Sequence, residues 1–179
     1  MKTIRTLLVL CSLLAAWPLA AKVKITVKKH TPQTEYAAGL LQQIDGNFNI
    51  EIDIEKRGAA EGFTLEHEGK WVGITGNDAA GCIYGVNRLL EIYRLDPTLS
   101  RLSSVTEEPE MKLRGACVGL QKTVYLPGHR VYEYPYTPEN FPWFYDKDLW
   151  IRYLDLLASC NMNTVYLWNG HPFASLVKL

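Results

Sequence analysis

Residues 61–93, EGFTLEHEGKWVGITGNDAAGCIYGVNRLLEIY, decide the fold, because they join a hairpin, a glycine turn and a helix in one unit. Phe63 and Leu65 alternate with polar neighbours, Glu68-Gly69-Lys70 can turn, and Trp71 to Thr75 can return as a second strand. Asp78 stands where an N-cap acceptor is wanted, and Ile83, Val86, Leu90 and Tyr93 recur at helical spacing. Gly81 and Gly85 lie one turn apart on that helix, where each costs about 1 kcal/mol relative to alanine. A close helix-to-sheet contact justifies the cost. The functional alternative is a phosphate cradle at the helix N-terminus. Gly73-Ile74-Thr75-Gly76 matches neither a Walker loop nor a dinucleotide fingerprint, so the glycines are read as packing residues.

Upstream, Val23, Ile25 and Val27 alternate with Lys24, Thr26 and Lys28 as in a half-buried strand. Thr31-Pro32 opens a helix with the proline ring in the first turn, where its missing N–H does no harm. Tyr36, Leu40, Leu41 and Ile44 make its apolar stripe, and Gly46 ends it. Phe48, Ile50, Ile52 and Ile54 then alternate with Asn49, Glu51, Asp53 and Glu55. The carboxylates belong to the solvated face of that strand rather than to a catalytic or metal site. The order β, α, β, β, β, α predicts a four-stranded sheet with both helices over its apolar face.

The first 21 residues carry Lys2 and Arg5, an apolar run from Leu7 to Trp17, and the small residues Ala20 and Ala21 at a cleavage point, the pattern of an export signal. The run is too short for a comfortable membrane span, and Leu10 before Cys11 argues against lipid attachment, so no stable membrane anchor is expected. The whole chain has a formal net charge of +0, and removing residues 1–21 leaves it two units negative, which implies no polyanion and hence no nucleic-acid partner. Cys82, Cys117 and Cys160 are widely spaced and odd in number; they form neither a disulfide framework nor a zinc site and are read as buried, hydrophobe-like thiols. No motif calls for a metal or a cofactor.

Between Leu95 and Lys112 the pattern fades into Pro97, Ser100, Ser103, Ser104 and Pro109, read as a connector or an ordered crossing segment. Leu113 to Leu120, LRGACVGL, runs without alternation, as a strand buried on both faces of a parallel sheet does. Asp148 to Cys160 reads as a helix with Trp150, Tyr153, Leu154 and Leu157 on one stripe, and Asn163 to Trp168 as a second buried strand. That is a βαβ unit, expected to be right-handed. The domain reading is therefore a signal at 1–21, an α+β domain at 22–95, a linker at 96–112, and the start of a second domain at 113–179.

Ile74-Thr75-Gly76, Asp78-Ala79-Ala80-Gly81 and Tyr84-Gly85 resemble the small α+β domain that precedes the catalytic barrel in family 20 glycoside hydrolases, the β-N-acetylhexosaminidases, and in related α-glucuronidase-type enzymes. Thr106 to Gly115, TEEPEMKLRG, is similar to the segment that leads into that family's barrel, and Tyr153 to Trp168 to its first barrel helix and second strand, with Asn163 at the motif's asparagine. The resemblance implies an incomplete (β/α)8 barrel after the α+β domain. A complete barrel takes about 250 residues, and the sequence stops at Leu179 after its second strand. The family's catalytic Asp-Glu pair would then lie beyond Leu179, so no catalytic residue is assigned and a fragment of this length is expected to be inactive alone.

The chemistry departs from the family pattern. Two histidines and an aspartate usually stand three, five and eight residues beyond the asparagine, where this chain has Tyr166, Trp168 and His171. Val118 to Thr123 likewise replace the family's Leu-Asp-x-x-Arg-His. The reading is thus an exported glycoside hydrolase, periplasmic or extracellular, acting on polysaccharide or glycan-derived oligosaccharides, with hexosaminides and uronides both open as substrates. The alternative is a non-catalytic, exported carbohydrate-binding or interaction module.

Barrel sites form at the C-terminal ends of strands, which directs attention to the residues after Leu120 and Leu167. Gln121 to Lys147 is a long loop rich in tyrosine, with His129 and Arg130, whose aromatic faces and donors suit sugar rings. Its alternative is a lid packed by its own aromatics. Trp168, Asn169 and His171 lie at or just past the second strand's end. Arg114 matches the family arginine that contacts sugar hydroxyls, although its place near the beginning of a strand equally suits a structural ion pair. The candidate substrate-binding residues are therefore Arg114, His129, Arg130, Trp168, Asn169 and His171.

Overall fold

The structure is a computed structural model and describes residues 23–119, 138–139 and 142–168. The alternating segments become strands β1 (Lys24–Val27), β2 (Asn49–Ile54), β3 (Phe63–Glu68) and β4 (Trp71–Gly76). β1, β2 and β4 run parallel, and β3 turns back antiparallel on β4 through Gly69, whose φ of +58° suits a residue without a side chain. In this register Val27, Ile52, Ile74 and Leu65 stand in one row across the sheet, and the last three are fully buried. Glu51 and Asp53 project from the other face, where Lys28 lies 2.6 Å from Glu51. They are the solvated face the alternation implies.

Two helices cover the apolar face. α1 (Pro32–Leu40) starts at Thr31, whose Oγ1 accepts from the Thr34 N–H at 3.1 Å while the Thr34 hydroxyl accepts from the Thr31 N–H at 2.9 Å. It is shorter than the sequence suggests, because a 3₁₀ turn over Leu41–Gln43 follows, and its buried residues are Thr34 and Ala37, with Leu41 and Ile44 entering the core just beyond it. α2 (Ala79–Leu95) is capped by Asp78, whose Oδ1 accepts from the Gly81 N–H at 2.8 Å. Its glycines pack as expected. A Cβ on Gly81 would collide with the carbonyl oxygen of Gly62, and one on Gly85 would lie 2.8 Å from Ile74 Cγ2.

The sheet has five strands in the order β1-β2-β4-β3-β5, not four. The additional strand, β5 (Val105–Glu107), comes from the segment read as a connector or an ordered crossing segment and pairs antiparallel with β3. Buried Leu99 and Leu102 fold that segment back onto the core, and Arg88 of α2 holds Glu107 at 3.0 Å. A three-residue strand with one apolar side chain leaves no periodicity to read.

β6 (Gly115–Gly119), α3 (Lys147–Ser159) and β7 (Thr164–Trp168) form the expected unit, with β6 and β7 parallel. The helix begins one residue earlier than predicted, because Asp146 Oδ1 accepts from the Leu149 N–H at 2.9 Å. A closed barrel is not among the described residues. β6 was expected to be buried on both faces, but its exposure alternates, and β7 is its one strand neighbour among the described residues. Cys82 is buried, whereas Cys117 and Cys160 are exposed, one on β6 and the other at the end of α3, which corrects the reading of all three thiols as buried. Among the described residues no helix is long and apolar enough to cross a membrane.

Candidate functional site

The parallel pairing aligns the C-terminal ends of β6 and β7, with Gly119 opposite Trp168. Sequence reasoning places the sugar site there. Asn169, His171, His129 and Arg130 lie outside the described residues, as do Tyr125, Tyr132, Tyr134, Tyr136 and Phe141. Of the aromatic loop, Pro142–Tyr145 forms a 3₁₀ turn in which Phe144 is buried, with Trp143 and Phe144 packing on Trp150 of α3 at ring-centroid distances of 6.2 and 6.0 Å. The Trp150 indole N–H donates to the Phe144 carbonyl at 2.8 Å. These two rings therefore pack residues 142–145 against the helix.

Arg114 sits at the opposite, N-terminal end of β6. Its Nε donates to the Asn161 carbonyl at 2.9 Å, Nη1 to the Met111 carbonyl at 2.7 Å, and Nη2 to Glu61 Oε2 at 2.6 Å. The guanidinium also lies over the Tyr84 ring, 5.5 Å from its centroid. Burial opposes its charge, but the Glu61 carboxylate outweighs that and raises its pKa. The Tyr84 phenol is raised as well, first by burial and then by the charge of Glu61.

Asn163 completes the arrangement. Its Oδ1 accepts from the Arg114 N–H at 3.0 Å, and its Nδ2 donates to the Lys112 carbonyl at 2.9 Å and to Glu61. Asn87 of α2 donates to Asn161 Oδ1 and to the Ala158 carbonyl, each at 2.8 Å. Glu61, Asn87 and Asn161 were not singled out from the sequence. Asn87 left a signal, a polar residue four positions from Ile83 on the apolar stripe of α2, whereas Glu61 and Asn161 lie in turns, each with positive φ.

This cluster lines a cavity of about 200 Å³ bounded by Glu61, Phe63, Tyr84, Glu107, Arg114 and Asn161. Its donors and acceptors satisfy one another, so its chemistry is cohesion between segments. A larger groove of about 620 Å³ follows the C-terminal half of α2 between Arg88, Leu95, Arg101 and Val105. Among the described residues no group of three or more potential ligands could hold a metal ion.

No protein-family model and no curated protein matches the chain. Solved structures do. Over 88% of its length the chain is 43% identical, with a TM-score of 0.76, to a GH138 enzyme targeting pectin rhamnogalacturonan II. It also matches the GH20 β-N-acetylhexosaminidase from Streptomyces coelicolor A3(2) at 18% identity over 81% of its length, TM-score 0.52, and the β-N-acetylhexosaminidase from Bacteroides fragilis NCTC 9343 at 15% over 83%, TM-score 0.54. The chain spans 25%, 30% and 29% of those three proteins, respectively. The fold is thus GH20-like.

Proposed function

We propose that the chain is the N-terminal region of an exported glycoside hydrolase acting on a pectic, uronate-containing glycan. The observation that carries this reading is the 43% identity, over 88% of the chain, to the enzyme targeting rhamnogalacturonan II. The hexosaminidases share only the fold, and Tyr166, Trp168 and His171 stand where their resemblance would place two histidines and an aspartate. In this reading β6 and β7 begin a (β/α)8 barrel whose site forms at the Gly119 and Trp168 ends, and later strands bring the two carboxyl groups that glycoside hydrolysis through an oxocarbenium-like transition state requires. Lys2, Arg5 and the apolar run behind them support export. In this reading Trp168, Asn169, His171, His129 and Arg130 remain the candidate sugar contacts.

The test is incubation of the full-length gene product with rhamnogalacturonan II oligosaccharides and with a panel of aryl uronides and aryl N-acetylhexosaminides, followed by chromatography of released sugars. Release of a monosaccharide from the pectic substrate is the expected result. Cleavage confined to the N-acetylhexosaminides overturns the substrate assignment, and sugar binding without turnover favours a non-catalytic module.

A further inference from the structure

The residues that carry the family resemblance converge on one place. Tyr84 of the Tyr-Gly helix, Arg114 and Gly115 at the start of β6, and Asn163 just before β7 all meet at or beside Glu61. Glu61 itself is held in the left-handed region at φ +66°, a conformation that costs a residue with a side chain about 1 kcal/mol or more. Asp78 compensates, its Oδ2 accepting the Glu61 N–H at 2.7 Å. The carboxylate and the Arg114 guanidinium expose only 21% and 16% of their side chains, so most of the pair is removed from solvent.

We propose that Glu61 is a positioning residue that seats the N-terminal ends of β6 and β7 on the first module. One carboxylate accepts from Arg114, at the beginning of β6, and from Asn163, at the beginning of β7, and thereby sets the two strand starts against each other. Gly115 allows the same close seating, because a Cβ there would collide with the Thr164 carbonyl. The opposite strand ends, Gly119 and Trp168, lie on the side away from this joint. Arg114 accordingly acts through Glu61, Met111 and Asn161 rather than as a sugar ligand. This inference goes beyond the glycosidase reading and does not depend on it.

Hydrogen exchange on the full chain tests it. Glu61→Gln is nearly isosteric, yet whichever way its amide turns the nitrogen faces a donor: in place of Oε1 it meets Asn163 Nδ2, and in place of Oε2 it meets both Asn163 Nδ2 and Arg114 Nη2. Exchange at residues 115–119 and 164–168 should rise about tenfold or more, while residues 49–54 of β2 keep their protection, as expected when one cooperative unit loosens and another does not. Arg114→Met should reproduce the effect, and the effect of Glu61→Gln/Arg114→Met should fall short of the sum of the two single changes, because they share one coupled contact. Arg114→Lys should restore part of the protection that Arg114→Met loses, since it keeps the charge facing Glu61. Unchanged exchange in β6 and β7, a uniform rise that includes β2, or full additivity of the two changes would overturn the assignment. Should Glu61→Gln fail to fold, Asn163→Ser removes the β7 arm together with the contacts to Lys112 and Arg114, and it must loosen 164–168 for the proposal to stand.

Discussion

Glu61 and Asn163, 102 positions apart in sequence, are joined by two hydrogen bonds from the Asn163 amide, at 3.0 and 3.1 Å. The same side chain also binds the backbone of Lys112 and Arg114, so it reads three segments at once. Asn163→Asp keeps the size but replaces the donor with an oxygen facing the Glu61 carboxylate and the Lys112 carbonyl. It should destabilise the protein by about 1–3 kcal/mol, the usual cost of unsatisfied, repelling polar groups, and more than Asn163→Ser does. Urea unfolding of the variants checks the ranking, and a neutral Asn163→Asp would contradict it.

The helix glycines give a second expectation with opposing terms. Alanine gains about 1 kcal/mol of helix propensity at either position, whereas overpacking a tight contact costs about 1–3 kcal/mol. At Gly81 the obstacle is the Gly62 backbone carbonyl, which cannot rotate away; at Gly85 it is the Ile74 methyl group, which can yield. Gly81→Ala should therefore lower the thermal midpoint clearly and Gly85→Ala less. A raised midpoint for Gly81→Ala would refute the close approach of α2 to the β3 start.

Alkaline pH should weaken the fold through Tyr36. Burial first, and then the Asp155 carboxylate on α3, push its phenol from 10.0 up to about 12. A raised pKa means that the folded chain holds the proton more tightly than the unfolded chain. The contribution of Tyr36 is then fully present below pH 10 and is lost progressively as pH climbs from 10 towards 12. Tyr36→Phe should flatten this part of the stability profile. Denaturant titrations at closely spaced pH values across the window would show it, and an identical slope in the variant would exclude Tyr36 as its source.

Thiol chemistry separates the cysteines. Burial raises Cys82 to about 11, and its Sγ–H donates to the Asp53 carbonyl at 3.2 Å, so thiolate is scarce and access is blocked. Iodoacetamide at neutral pH should label the exposed Cys117 and Cys160 well before Cys82, which reacts only on unfolding. Peptide mapping by mass spectrometry distinguishes the three sites. Early labelling of Cys82 would place it outside the core.

The period-two segments around Ile50, Ile52, Leu65 and Ile74 declared the sheet because each strand buries one face, and a buried face forces alternation. Asp78 and Thr31 marked the helix starts because capping needs a short oxygen-bearing side chain at that point. β5 escaped because its position is fixed by Leu99 and Leu102 tucking into a core built by other segments, a tertiary effect with no local trace. The joint was half legible. Arg114 and Asn163 stood out as motif residues, but their partner Glu61 belongs to a turn, and nothing in a turn's composition announces a contact 102 positions away.

The pairing of Val105–Glu107 with β3 also settles where the protein can be divided. A piece ending at Leu95 would discard Leu99 and Leu102 and strip the backbone edge of Phe63–Leu65, an invitation to strand-to-strand association. A cut placed after Glu107 keeps that edge sheltered, although it also severs Arg114 from Glu61. The segment joining the two modules is thus woven into the first of them, and it cannot serve as a pivot.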